Sequence, residues 1–113
     1  MNRKEFEQYL NRDQRCPHCG SDGPDLVVHH RRNRGMGGKH SAADRPSSLM
    51  LICSTANGLL ESSATFAQLG RELGWKLTAG EDSTKVPIHA DGKWWILRDD
   101  FSKVEVPNYE RDE

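Results

Sequence analysis

The sequence predicts a small α+β domain, and three stretches of it carry that prediction. Two short apolar segments, 26–30 and 49–52, are each long enough for one strand, and a helical pattern of apolar residues runs from about 55 to 73. Further along, 86–90 and 93–97 flank an Asp-Gly dipeptide, which is a strong signal for a β-hairpin turn. The length of 113 residues is that of one small domain.

The N-terminal part is predicted to contain a short helix and a cysteine-bearing knuckle. Aromatic and leucine side chains have helical spacing within 3–12. A Cys-Pro-His-Cys-Gly segment at 16–20 and a Ser-Asp-Gly-Pro turn then lead into the first strand. The connection between the two strands, 31–47, is too polar and glycine-rich for regular structure.

The helix after the second strand is predicted to begin at Thr55 or Ala56 and to end near Leu73. Its apolar stripe consists of Leu59 or Leu60, Phe66, Leu69 and Leu73. Gly74 is the predicted C-cap. Hydroxyl residues within 62–65 weaken the middle of the helix, so a break is expected to be tolerated there.

The C-terminal part is predicted to form a β-hairpin over 85–98. In its second strand Trp94 and Trp95 point to opposite faces, so one is expected in the core and the other exposed. We therefore expect one folded domain over 1–106 and a disordered tail over 107–113.

The charges of the chain are balanced overall but unevenly placed. The formal net charge is -1, which excludes a uniformly basic nucleic-acid-binding protein. Between 26 and 43, however, there are four basic residues and no acidic one. A local basic patch on a nearly neutral protein suits a function in which a polyanion must be bound and then released.

The sequence also indicates a cellular compartment and a need for stabilisation beyond that of the hydrophobic core. We find no apolar stretch long enough to span a bilayer and no apolar signal-peptide centre near the N-terminus, so a cytoplasmic protein is expected. The three cysteines, an odd number, are expected to stay reduced in that compartment. The hydrophobic fraction of 35% is low for a self-sufficient core, so a bound metal would help to stabilise the domain.

His29 and His30 form the centre of the most informative motif. An apolar run precedes them, and three arginines and a glycine-rich segment follow at once. Imidazole can act as a base near neutral pH or bind a metal, and arginine can clamp a phosphate in a fork. Glycine lets the backbone approach a ligand closely. The motif therefore indicates a site that handles a phosphodiester, and the alternative is a basic surface turn with two polar histidines.

The surrounding residues place this motif in a wider order. The knuckle at 16–20 lies upstream, the second predicted strand runs into Cys53, and a helix opening with Ala-Asn-Gly at 56–58 follows. In this order the chain resembles the HNH (ββα-metal) endonuclease family, particularly the small stand-alone HNH proteins of phages, over about 13–75. The resemblance implies a ββα-metal core made of the two strands and that helix.

The resemblance also implies roles for individual residues. His30 would be the general base, and His29 would be a ligand of the catalytic metal. Asn57 stands where the common family pattern has a metal-binding histidine, and its amide oxygen suits Mg²⁺ or Mn²⁺. Glu61, one helical turn later, could also bind the metal. The alternatives are an N-cap role for Asn57 and a surface charge for Glu61.

Adjacent side chains of a regular strand point to opposite faces. For both histidines to serve one site, they are therefore expected to lie at a distorted strand end, where the glycine-rich loop begins.

The cysteines depart from the family pattern in one position. Many relatives hold a structural Zn²⁺ with four cysteines, whereas here Cys16, Cys19 and Cys53 are present and Ala56 takes the fourth place. Three thiolates could hold zinc with His18, another side chain or water as the fourth ligand. The alternative is that the cysteines are small buried hydrophobic residues.

The resemblance implies a DNA endonuclease that depends on Mg²⁺, Mn²⁺ or Ni²⁺, with DNA and the phage packaging machinery as its partners. The expected contacts to the DNA backbone are Arg31, Arg32, Arg34 and Lys39. Ser48 replaces the middle asparagine of the family, which pins the loop, and a serine does this less completely. Other classes remain as alternatives: a catalytically weakened HNH fold that binds DNA or protein, and a zinc-knuckle adaptor. The presence of both histidines argues against these two.

Overall fold

Three helices and two small antiparallel sheets are formed by the residues that the computed structural model describes, 1–32 and 44–110. The helices are α1 (Arg3–Asp13), α2 (Ser54–Ser62) and α3 (Ala64–Glu72), and the strands are β1 (Leu26–His30), β2 (Leu49–Cys53), β3 (Ile88–Ala90), β4 (Lys93–Leu97) and β5 (Lys103–Glu105). The predicted α+β class is confirmed. In this described part of the chain, no helix has the length and apolar character needed to cross a bilayer.

The first sheet consists of β1 and β2 alone. The strands are antiparallel, and their register runs from Leu26 opposite Cys53 to His30 opposite Leu49. All five residues of β2 are buried, which explains why its sequence is apolar on both faces. β2 therefore forms the centre of the hydrophobic core, and α2 follows it directly.

α1 covers the edge of β2 that β1 leaves unpaired. The Arg12 guanidinium donates hydrogen bonds to the carbonyl oxygens of Leu49 at 2.6 Å and Pro46 at 2.9 Å. The Asp13 carboxylate accepts one from the main-chain nitrogen of Leu51 at 2.9 Å. These side chains satisfy polar groups of a strand edge that would otherwise be buried without partners.

The predicted helix over 55–73 is divided into two at Ser63. This residue leaves the helical conformation with φ of -115° and caps α3 by accepting a hydrogen bond from the main-chain nitrogen of Phe66 at 3.1 Å. After α3 the chain turns at Gly74, whose φ is +77°. A side chain at this position would collide with the carbonyl oxygen of Pro87, so the turn requires glycine.

The second sheet has the order β3-β4-β5, and all of its pairings are antiparallel. Asp91 and Gly92 join β3 to β4 with φ of 55° and 74°, as the predicted two-residue hairpin requires. Trp95 packs against the core, whereas the Trp94 ring lies between His89 and Tyr109, with centroid separations of 5.1 and 5.0 Å. β5 is an addition to the predicted hairpin.

Arg31 joins the end of β1 to three other segments. Its side chain is fully buried, and it donates hydrogen bonds to four main-chain carbonyl oxygens: Gly74 at 2.8 Å, Ser47 at 2.7 Å, Ser83 at 3.1 Å and Val86 at 2.7 Å. A buried guanidinium needs such acceptors for its donors, and the carbonyl groups need its donors. Arg31 is therefore a structural residue.

Replacing Arg31 tests this assignment. Arg31→Ala should lower the free energy of unfolding by about 3–5 kcal/mol, because buried carbonyl groups lose their donors. Urea unfolding followed by intrinsic tryptophan fluorescence, to which the buried Trp75 contributes, measures the change. The control is Arg3→Ala, which removes an exposed arginine that pairs with Glu7 on the surface of α1 and should cost about 0.5 kcal/mol or less. Equal shifts in the two variants would contradict the structural role.

Candidate functional site

His29 is a buried histidine whose two ring nitrogens both face protein atoms. Only 2% of the residue is exposed. Nε2 lies 2.7 Å from the carbonyl oxygen of Trp75, and Nδ1 lies 3.0 Å from Oδ1 of Asn57. The structure thus brings together His29 and Asn57, two of the predicted metal ligands, which are 28 residues apart in the sequence.

The two ring nitrogens of His29 make contacts of different kinds. A carbonyl oxygen can only accept, so Nε2 carries the hydrogen and donates it to Trp75. The other nitrogen, Nδ1, is then left with a lone pair that faces an amide oxygen, which is also an acceptor. If the amide of Asn57 is turned over, its nitrogen donates to Nδ1 instead. The pair can therefore act either as a closed hydrogen bond or as two ligands for a cation.

Asn57 lies within the first turn of α2 and is not the cap of that helix. The cap is Cys53, whose sulfur accepts a hydrogen bond from the main-chain nitrogen of Ala56 at 3.4 Å. This excludes the N-cap alternative for Asn57. Glu61 follows Asn57 by one turn of α2 and is exposed, so its carboxylate is accessible from solvent.

Burial keeps His29 neutral. Removal from water is the largest influence on its imidazole and lowers the pKa below 6.5, although the Trp75 carbonyl and the Asn57 side chain oppose this. The charges of Lys76 and Glu61 act in opposite directions, and the net pKa remains lowered. A neutral imidazole is the form that binds metals.

His30 lies on the other face of β1. Its Nε2 is 3.3 Å from Oδ1 of Asp44, and its side chain is 30% exposed. β1 pairs regularly with β2 up to His30, so the expected distortion of the strand end is wrong and the two histidines point in opposite directions. The predicted base and the predicted metal ligands therefore have separate sets of partners.

The three cysteines form a compact cluster. The sulfur atoms of Cys16, Cys19 and Cys53 all lie within 4.8 Å of one another, and all three are free thiols. Main-chain N–H groups of His18 and Cys53 donate to the Cys16 sulfur at 3.3 and 3.2 Å. This cluster could bind a metal ion. The His18 ring packs edge-on against Phe66, with the centroids 5.2 Å apart, and is not part of the cluster.

The surroundings of two of these cysteines shift their pKa values in opposite directions. Burial alone would raise the pKa of Cys16, but main-chain N–H groups directed at its sulfur bring the pKa below the usual value. Burial raises the pKa of Cys53 to about 11. Cys16 is therefore the thiol that ionises more readily, and a bound cation would be needed to hold Cys53 as thiolate near neutral pH.

The described residues include two of the four predicted DNA-contacting side chains, Arg31 and Arg32. Arg31 was predicted to bind phosphate, which is wrong because its guanidinium is buried among carbonyl groups. Arg32 is half-buried and donates to the carbonyl oxygen of Glu81. Arg34 and Lys39 lie outside the described residues.

Ser48 differs from its predicted role. The residue is fully buried, and its hydroxyl has no hydrogen-bond partner among the described residues. Its main-chain groups make the hydrogen bonds instead. The Ser48 carbonyl oxygen accepts one from the main-chain nitrogen of Arg31, and the Ser48 nitrogen donates one to the carbonyl oxygen of Arg45, both at 2.8 Å. The side chain thus does not pin any described part of the loop.

Two partners of the histidines were not predicted from the sequence. The Trp75 contact involves a main-chain carbonyl, which every residue type carries, so no sequence signal marks it. Asp44 lies in a polar connection where an isolated carboxylate is ordinary. Each becomes visible only when the chain folds and brings it to a histidine.

The neutral state of His29 predicts a pH dependence of stability. In the unfolded chain its pKa is near 6.5, and in the fold it is lower. As the pH falls below about 6.5 the unfolded state therefore binds the proton first, and stability is lost progressively until the pH reaches the folded pKa. Urea unfolding across this range should show a steeper fall for the wild type than for His29→Gln. Parallel curves would contradict a buried neutral imidazole.

Comparison with known proteins does not identify a function for these residues. No family model, no curated protein and no solved structure matches the chain. What the protein does must therefore be inferred from its own residues: the His29–Asn57 pair, His30 with Asp44, and the cysteine cluster.

Proposed function

We propose that this protein is a metal-dependent endonuclease of the HNH type that hydrolyses phosphodiester bonds of DNA. The observation that carries the proposal is the facing pair of acceptors, Nδ1 of His29 and Oδ1 of Asn57, at 3.0 Å. The order of β1, β2 and α2 supports it, because β1 supplies the histidine and α2 supplies the asparagine, as a ββα-metal core would require.

The distance between the two acceptors fits a hard divalent cation. Ligands of an octahedral ion at about 2.0–2.1 Å lie roughly 3 Å apart when they are neighbours. The ring is also oriented as a metal ligand is, since its other nitrogen donates to a backbone carbonyl. His29 and Asn57 would therefore hold Mg²⁺, Mn²⁺ or Ni²⁺, and Glu61 would bind the ion or one of its waters. Such a cation supplies stabilisation of the charge that develops on the phosphate and on the leaving oxygen.

His30 would accept the proton of the attacking water. Its partly exposed ring can be reached by substrate, and imidazole is the side chain best suited to this transfer near neutral pH. Because His30 is the last residue of β1, a phosphodiester lying across the end of the strand could reach both His30 and the opposite face that carries His29. The side chains left to contact the DNA backbone are Arg32, Arg34 and Lys39, since Arg31 is buried.

From the resemblance to small phage HNH proteins, we also infer that the enzyme acts in the cytoplasm of a phage-infected host beside the DNA-packaging machinery.

The opposite orientations of His29 and His30 favour a second candidate function. An HNH-like domain whose base and metal ligands no longer serve one phosphate would bind DNA or protein without cleaving it. The two candidates differ in whether any divalent cation supports nicking.

Nicking of supercoiled plasmid DNA with Mg²⁺, Mn²⁺ or Ni²⁺ tests the proposal. Asn57→Ala should raise the Mn²⁺ concentration that gives half-maximal rate by about tenfold or more, because a ligand is lost. Asn57→His should shift the preference towards Ni²⁺, which imidazole favours. His30→Ala should lower the rate by about 10²–10⁴-fold at saturating metal, because the base is lost.

The matched control for His30→Ala is His89→Ala, which removes a histidine that packs on Trp94 in the second sheet. It should nick like the wild type. A wild-type rate in His30→Ala would overturn the role of the base. DNA binding without nicking, with all three cations, would favour the second candidate function.

We also propose that Cys16, Cys19 and Cys53 hold a structural Zn²⁺. The fit rests on three sulfurs within 4.8 Å of one another, one of which already receives main-chain hydrogen bonds that favour its thiolate. Zinc there would tie the knuckle to the junction of β2 and α2. Ala56 is fully buried, and the family resemblance assigns the fourth thiolate of such a site to this position.

Elemental analysis of purified protein should find about one zinc per chain. Cys16→Ser should lose the metal and several kcal/mol of stability, because binding energy of a structural metal is folding energy. Ala56→Cys should make the zinc harder to remove with a chelator, since it can complete a four-thiolate site. Zinc-free protein whose melting temperature is unchanged in Cys16→Ser would show that the cysteines only pack.

A further inference from the structure

His30 has one hydrogen-bond partner among the described residues, the carboxylate of Asp44. The contact joins Nε2 of the ring to Oδ1 at 3.3 Å, and the two side chains are 30% and 42% exposed. The opposite ring nitrogen, Nδ1, has no hydrogen-bond partner in the same described part of the chain. One side of the imidazole thus faces a carboxylate, and the other side has no partner within 1–32 and 44–110.

The residues that follow Asp44 are tied to the core. The next residue, Arg45, donates from Nε to Oδ2 of Asp99 at 2.9 Å, and Asp99 also accepts from the main-chain nitrogen of Ser47 at 3.0 Å. The carbonyl of Ser47 in turn accepts from the buried Arg31 at 2.7 Å. Asp44 therefore directly precedes a segment that is tied to the core, and its carboxylate lies beside His30.

The chemistry of the contact selects one form of the ring. A carboxylate accepts hydrogen bonds and cannot donate them, so Nε2 must carry the hydrogen. The neutral ring then has its lone pair on Nδ1. We propose that Asp44 is a positioning residue that holds His30 in the Nε2–H tautomer, so that Nδ1 serves as the base. This inference rests on the proposed endonuclease function and adds to it the residue that orients the base.

The proton transfer that follows is balanced. Nδ1 takes one proton from water while the water oxygen forms a bond to phosphorus and the bond from phosphorus to the leaving sugar oxygen breaks. The leaving oxygen takes a proton from solvent. The imidazolium formed in this step donates from Nε2 to the Asp44 carboxylate, which stabilises its charge as the orienting carboxylate of a catalytic triad does.

Kinetics of plasmid nicking give the first test. Asp44→Ala should lower kcat by about tenfold to a hundredfold, less than the roughly 10⁴-fold known for a buried orienting carboxylate, because this pair is partly exposed. KM for the plasmid should stay within about twofold, since the lost interaction acts in the transition state. Asp44→Glu should recover much of the loss. The control is Asp91→Asn, which removes the same charge at the exposed hairpin turn and should leave kcat unchanged.

The tautomer of His30 gives a second test that does not need activity. In metal-free protein at mildly alkaline pH, nitrogen chemical shifts of the labelled imidazole should show the Nε2–H form in the wild type and in Asp91→Asn. In Asp44→Ala the ring should become a mixture of both tautomers. Native-like spectra of the remaining residues show that the variant is folded.

The outcomes separate the two proposals. An unchanged tautomer in Asp44→Ala overturns the positioning role, whatever happens to the rate. A changed tautomer with unchanged kcat overturns it as well, because the orientation then has no catalytic effect. A wild type that never nicks DNA overturns the endonuclease, and the tautomer experiment alone then decides whether Asp44 orients His30.

Discussion

The buried guanidinium of Arg31 is the constraint on which the rest of the structure depends. A permanent charge removed from water needs acceptors for its donors, and here main-chain carbonyl groups from three segments accept four hydrogen bonds from it. One of these, Gly74, immediately precedes Trp75, whose carbonyl holds His29. Another, Ser47, belongs to the segment that directly follows Asp44, whose carboxylate lies beside His30. A single side chain thus organises the surroundings of both histidines.

β2 links the N-terminal part of the domain to the candidate site. Arg12 and Asp13 bind the main chain of β2 along its outer edge, and the Cys16 sulfur accepts from the nitrogen of Cys53 where β2 ends. α2 begins at the next residue and carries Asn57. The cysteine cluster and the His29–Asn57 pair therefore both involve the first turn of α2, and a metal bound at the cysteines would stabilise the start of α2.

The alternation of a regular strand places the two histidines in different environments. His29 faces inwards, where burial lowers its pKa and favours the neutral form that binds metals. His30 faces outwards, where solvent and a carboxylate surround it. Opposite environments suit a ligand and a base, and they arise from a shift of one residue along β1. In the proposed endonuclease, the same alternation requires that the substrate lie across the strand end.

The sequence by itself determined the α+β class and the positions of β1, β2 and the C-terminal hairpin, because these follow from apolar periodicity and turn chemistry. The resemblance to the HNH family implied that His29 and Asn57 would lie together, and the fold brings their side chains into contact. Only the tertiary structure decided that Arg31 is a buried structural residue and not a phosphate ligand. Its partners are main-chain carbonyl groups, which no residue type announces, so an arginine within a basic run looked like a phosphate ligand. Asp44 reaches His30 for the same reason: the contact exists only after long-range packing has placed the segment that carries it.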